Sequence, residues 1–124
     1  MAKILALGGD GIGPEILAEG LRVLDWVTGQ AEMSLEIDHG VLHGASWDLH
    51  GKFCTDEVLN MARASDAVLV GAVGGPDWDG IRVPGGAECQ DGLMHLRYHL
   101  QTYLGLRPAR CWPNLRHRSS IRPS

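Results

Sequence analysis

Two arginines ten residues apart, Arg97 and Arg107, carry the most telling chemistry in this chain. A guanidinium group is permanently charged, and its planar fork of donors matches a carboxylate two hydrogen bonds at a time. Arg97 falls within a segment of helical pattern. Arg107 lies beyond that segment's end, held extended by Pro108. Offered from different local frames, the two forks can grip two carboxylates, or one carboxylate from two sides. Arginines on a solvated helix face are the commoner finding, so the pair gains weight from its setting. That setting is Gly9-Asp10-Gly11-Ile12-Gly13-Pro14-Glu15 near the start and Gly71-Ala72-Val73-Gly74-Gly75-Pro76-Asp77-Trp78-Asp79-Gly80 in the middle.

Other reactive side chains say less. His95 and His99 stand four apart on the segment that carries Arg97 and could share a metal, but without a third ligand the plainer reading is an ordinary helix face. Cys54, Cys89 and Cys111 are odd in number and form no C-x-x-C pair, which indicates neither a disulfide framework nor a zinc site. They read as reduced thiols.

The elements that must position these groups alternate in type. Lys3 to Leu7 is a short apolar run ending in glycines, the form of a buried parallel strand. Pro14 suits a first helical position, and Ile16, Leu17, Gly20, Leu21, Leu24 and Val27 follow at helical spacing, with Gly29 closing the helix. Ser34 to Asp38 alternates polar and apolar residues, as a second strand would. Residues 39–54 read as a loop with at most a short turn of helix. Thr55 can cap a helix through Ala64, with Asp56 and Glu57 in its favourable first turn. Ala67 to Val70 is the third strand, and it enters a glycine-rich loop of about twenty residues, a length that is usually functional. A last helix is expected from Gly92 to Tyr103. The spacing predicts strands over 33–38 and 66–71 beside the first over 3–8, and helices near 14–28, 55–64 and 91–103. This β-α-β-α-β-α order argues for a parallel sheet with flanking helices, with both glycine loops at the carboxyl ends of strands, where ligands collect.

The first glycine turn imitates a dinucleotide fingerprint without being one. G-x-G-x-x-G begun at Gly9 meets Pro14, and begun at Gly11 meets Ile16. No P-loop is present either. The turn is then either a plain strand-to-helix connection or one wall of a cofactor cleft, with amides exposed at a helix N-terminus.

Composition bounds the rest. A length of 124 residues and 44% hydrophobic content suit one domain with a real core. No apolar run is long enough for a transmembrane helix or a signal peptide, so a cytoplasmic protein without a membrane partner is expected. Residues 1–91 hold all 15 acidic side chains against five basic ones, a net of −10, while residues 92–124 hold six arginines and no acid. A basic arm could bind nucleic acid. It is short, lacks lysine and spaces its arginines irregularly, so no nucleic-acid partner is expected. The imbalance, with no element completed near Ile121-Arg122-Pro123-Ser124, reads instead as a chain cut from a longer one.

Three stretches together carry a resemblance: Gly9 to Glu15, Asp66 to Gly80, and Leu96-Arg97 through Leu106-Arg107-Pro108-Ala109. They are similar to the N-terminal part of the 3-isopropylmalate dehydrogenase-like β-decarboxylating dehydrogenases, in the right order over essentially the whole chain. The resemblance implies an α/β fold that is not Rossmann, with residues 1–106 in the first domain and 107–124 opening a second. It implies a homodimer when intact, NAD as cofactor, and Mg2+ or Mn2+. The reaction implied is oxidation of a 2-hydroxy dicarboxylate followed by loss of CO2, with 3-isopropylmalate in leucine biosynthesis as the first expectation and tartrate or D-malate as the alternative. A non-catalytic decayed copy is a third reading.

Carried over by position, Arg97 and Arg107 match substrate-binding arginines, and Leu93 matches the residue that meets the substrate's variable side chain. Ile12 and the segment holding Gly75, Pro76, Asp77, Trp78, Asp79 and Gln90 match the cofactor wall. Gln90 stands where a glutamate is usual, and Gly85-Gly86-Ala87-Glu88-Cys89 replaces the usual lead-in, in a loop about two residues longer. The metal-binding aspartates and the catalytic tyrosine and lysine of the family have no counterpart in these 124 residues. The resemblance therefore implies an inactive fragment with no catalytic or metal residue of its own.

Overall fold

In a computed structural model, which describes residues 1–120, three parallel strands form one sheet in the order β2-β1-β3. Strand β1 (Ala2–Gly9) lies in the middle, flanked by β2 (Leu35–Gly40) and β3 (Ala67–Ala72). Its continuous apolar run follows from that position, because a central strand covered on both faces has no solvent side. Leu5, Ala6 and Leu7 are fully buried.

Successive side chains of β1 point to opposite faces, so two helical layers are needed. Helix α1 (Gly13–Gln30) covers the face of Ala6 and Leu69, burying Leu17 and bringing Gly20 against Leu69. On the other face Leu5 and Leu7 pack with Leu42, Cys54, Val58, Leu59, Ala62 and Leu96. Those residues come from α3 (Asp56–Arg63), α4 (Gly92–His99) and the connections on either side of α2 (Gly44–His50). The expected parallel α/β core is present, with strand ends shifted by one or two residues. As expected, Thr55 caps α3 by accepting from the Val58 amide at 3.2 Å.

Helix ends depart further from expectation. Gly29 does not close α1, which runs to Gln30. Glu32 takes the left-handed position (φ 50°), and the Met33 amide returns to the Thr28 carbonyl. The last helix stops at His99 rather than Tyr103. There Gln101 is left-handed (φ 55°), its amide donating to the Tyr98 carbonyl while the Thr102 amide donates to Arg97. Both ends follow the Schellman pattern with a side chain where glycine is usual, so neither had a glycine to mark it.

Residues 39–54 also hold more helix than expected: α2 makes two turns before Gly51. The glycine-rich stretch after β3 contains a 3-10 turn, Ala87–Gln90, and residues 107–120 add only the 3-10 segment Pro113–Arg118. The reading of Ile121 to Ser124 falls outside the described residues. No described helix is long and apolar enough to cross a membrane.

Candidate functional site

The two glycine loops meet at the carboxyl ends of β1 and β3, and Asp10 joins them. Its carboxylate is buried and accepts from two backbone amides, Ala45 at 2.7 Å and Gly74 at 2.8 Å. Its own amide donates to the Ala72 carbonyl, and its carbonyl accepts from the Gly13 amide, each at 2.7 Å. One residue thus fixes the turn into α1, the loop after β3 and the start of α2. Gly9 permits the approach: φ is +75°, and a Cβ there would collide with the Ala72 carbonyl oxygen. Asp10 supplies α2 with a cap from 35 residues away. The helix has no side-chain cap of its own, which explains its poor visibility in the sequence.

On this platform stand the residues expected to form the cofactor wall. Ile12 is 61% exposed, an apolar side chain presented to solvent beside the loop. Pro76, Asp77 and Asp79 are exposed, and Gly75 is half-buried under the Trp78 ring. Trp78 is itself half-buried; its ring lies on Gly44 and Gly75 and its Nε1 donates to Asp48 at 3.1 Å. Gln90 works inside the loop. Its Nε2 donates to the Val83 carbonyl at 2.7 Å and its Oε1 accepts from the Val83 amide at 3.1 Å. A glutamate could accept but not donate there, which gives the glutamine in this longer loop a physical reason.

The expected substrate residues sit on α4 and just beyond it. Asp91 caps the helix, accepting from the Met94 amide at 2.9 Å, while Leu96 anchors it in the core. Gly92 lets it approach closely, since a Cβ there would press on the Phe53 carbonyl and the His43 backbone. Leu93 and Arg97, one turn apart, line an open groove of about 790 Å3 beside β3. Arg97 and Arg107 line an adjoining groove of about 390 Å3 with Thr102, Leu104, Gly105 and Leu106. The Schellman end of α4 turns the chain back so that Arg107, fully on the surface, shares this groove with half-buried Arg97.

Neither arginine makes a salt bridge among the described residues. Arg97 reaches only the Met94 sulfur, at 4.0 Å. Two guanidinium groups lining one groove, neither paired with an acid among the described residues, make it locally positive and able to attract anions.

The rings of His95 and His99 lie tilted against each other at 49°, with centroids 4.4 Å apart. Burial, then the neighbouring His99, lowers the His95 pKa. Among the described residues no group of three His, Cys, Asp or Glu side chains is placed to hold a metal ion. The residues present do not fit a divalent cation.

Comparison with known proteins gives the family. The isocitrate/isopropylmalate dehydrogenase family profile matches residues 3–124. The chain belongs to that family. Similar relatives include the 3-isopropylmalate dehydrogenases of Rhodopseudomonas palustris (strain HaA2), 46% identical over 121 residues, and Pseudomonas fluorescens (strain ATCC BAA-477), 45% identical over 121 residues. Each alignment covers 98% of this chain but only 32% and 33% of the relative, so the chain spans about a third of the length of these curated relatives. Among solved structures, the β-decarboxylating dehydrogenase of Thermococcus kodakarensis is similar, with TM-score 0.63 and 30% identity over 83% of this chain and 28% of that one. Isocitrate dehydrogenase of Methylococcus capsulatus gives TM-score 0.55 and 28% identity over 71% of this chain and 23% of that one. The fold is thus that of isocitrate/isopropylmalate-type dehydrogenases, as the resemblance implied.

Sequence reasoning missed three positions. The clip role of Asp10 depends on long-range contacts that no spacing announces. Asp91 was legible, since an aspartate before an apolar helical run is a capping signal. His43, buried between Asp10 and Asp91, left no signal, because a left-handed histidine (φ 58°) cannot be read from residue type.

Proposed function

We propose that this chain forms the substrate-and-cofactor wall of an NAD-dependent dehydrogenase that oxidatively decarboxylates a 2-hydroxy dicarboxylate of the 3-isopropylmalate type, as in leucine biosynthesis. The observation that carries this reading is the shared groove of Arg97 and Arg107, without acidic partners among the described residues, with apolar Leu93 one turn before Arg97. The two guanidinium groups bind the carboxylates and fix the substrate's orientation. Leu93 offers an apolar surface to the substrate side chain, where a third carboxylate would find no partner.

Exposed Ile12 and the loop of Gly75, Pro76, Asp77, Trp78 and Asp79 suit the flat nicotinamide ring, and Gln90 holds that loop from within. NAD, when bound, supplies the hydride acceptor. The chain's part is to orient the substrate's C2–H bond toward that acceptor and to exclude water from between them. The divalent cation and the proton-transferring groups are assigned to sequence that the longer relatives carry outside the matched third. In this reading residues 1–106 belong to a first domain, 107–124 open a second, and the intact protein is a homodimer.

The test is a chimaera in which the 121 matched residues of the Rhodopseudomonas palustris relative are replaced by those of this chain. With 3-isopropylmalate, NAD and Mg2+, the chimaera is expected to form NADH, and the 124-residue chain alone to form none. A folded chimaera without turnover would refute the proposal in favour of a decayed copy. Faster turnover of tartrate or D-malate would refute the substrate assignment.

A further inference from the structure

His43 is buried, yet the chemistry above leaves it unused. Its backbone angles, φ 58° and ψ −124°, are costly for a residue with a side chain. Surrounding contacts hold it there. Its amide donates to the Phe53 carbonyl at 2.7 Å, its carbonyl accepts from the Trp47 amide at 2.8 Å, and its ring stacks on Phe53 at 4.8 Å. The imidazole stands between two carboxylates. Nδ1 lies 2.9 Å from Asp10 Oδ2, and Nε2 lies 3.9 Å from Asp91 Oδ2. The shorter contact is off the line that a ring N–H needs, so buried Nδ1 lacks a well-formed hydrogen bond. The ring is seated between its two partners rather than optimised for one.

Each carboxylate governs a different wall. Asp10 holds the amides of Ala45 and Gly74, and therefore the glycine loops; Asp91 caps α4, the helix of Leu93 and Arg97. We propose that His43 is a positioning residue that couples the glycine loops to α4 through Asp10 and Asp91, setting the separation between the cofactor wall and the substrate arginine. That purpose rests on the function proposed above, whereas the coupling is a property of the chain alone. A histidine that merely filled space beside Phe53 and Trp78 would transmit nothing between the two carboxylates.

A mutant cycle read by amide hydrogen exchange on the full 124-residue chain separates these cases. Asp91→Asn keeps the cap, because asparagine caps as well as aspartate, but removes the charge facing His43. It is expected to speed exchange at the distant Gly74 amide by about two- to tenfold, the lower part of the range for coupled neighbours. In a His43→Gly background the same substitution should leave Gly74 unchanged. Glycine relieves the strain at φ 58° but leaves the space of the buried ring beside Phe53 and Trp78 empty, so that background should melt below wild type while staying folded; His43→Asn, which fills part of that space and tolerates positive φ, is the second background if His43→Gly does not fold. A Gly74 amide indifferent to Asp91→Asn in the wild-type chain, or equally responsive in both backgrounds, would overturn the proposal. A failed dehydrogenase reading would appear as absent turnover in the chimaera and would leave this exchange pattern intact.

Discussion

Replacing Asp10 with alanine should cost this chain a substantial share of its stability, and the size of the loss follows from its contacts. The carboxylate is buried and accepts from the Ala45 and Gly74 amides. Alanine leaves both donors without that partner; Ala45 is half-buried, while Gly74 is exposed and water can replace part of its bond. At about 1–3 kcal/mol for each group left unsatisfied, with the exposed donor at the low end, the loss is about 2–4 kcal/mol. A small domain has only about 5–15 kcal/mol in total. Asp10→Asn keeps one acceptor oxygen but turns an NH2 group toward the other donor, so about half the loss is expected. Urea unfolding followed by circular dichroism, with linear extrapolation to water, gives both values. Asp25→Ala, on the exposed side of α1, is the control and should stay within about 0.5 kcal/mol of wild type. An Asp10→Ala chain within about 1 kcal/mol of wild type would refute the clip, since it would mean that the two amides find other partners at little cost.

Other expectations are local. Gln101→Gly should stabilise the chain by about 1 kcal/mol, because glycine takes the left-handed position at the end of α4 without a Cβ penalty; thermal unfolding checks the direction. The lowered pKa of His95, caused first by burial and then by His99, means that the folded chain releases protons more readily there than the unfolded chain. Its contribution is present above the unfolded value near 6.5 and is lost as pH falls through the lower folded value. His95→Gln should therefore flatten the stability profile below that pH. Burial, aided by the Asp56 charge, pushes the Cys54 thiol up to about 11. Alkylation at pH 8 should label Cys89 and Cys111 before Cys54, and mass mapping of the labelled peptides reads the order.

Much of the scaffold was legible because its causes are local. The apolar run of β1 and the Thr55 cap need only neighbouring residues to be recognised. Helix α2 was hidden because its cap, Asp10, arrives from the turn after β1, 35 residues earlier in the chain. Two helix ends were displaced because Glu32 and Gln101 occupy left-handed positions without being glycine. The arginine pair could be singled out from charge and spacing alone, but the turn that puts both in one groove could not. It depends on the Thr102 amide returning to the Arg97 carbonyl. Gln90 is similar: its departure from the family pattern was visible in the sequence, while its reason lies in the Val83 backbone it clasps.

The most direct measurement of the central claim is kcat/KM for 3-isopropylmalate in the chimaera, across four arginine variants. Arg97→Ala removes a charge-assisted contact in a cleft closed by substrate, at about 2–5 kcal/mol. That corresponds to roughly a thirtyfold to several-thousandfold loss. Arg107→Lys keeps the charge but loses the fork, and should recover only part of such a deficit. Arg116→Ala and Arg118→Ala, on the exposed 3-10 segment, should leave kcat/KM within about twofold. Large losses at positions 97 and 107 with near-wild-type values at 116 and 118 are the predicted result. Equal, small effects at all four positions would contradict it, leaving Arg97 and Arg107 as ordinary solvated charges.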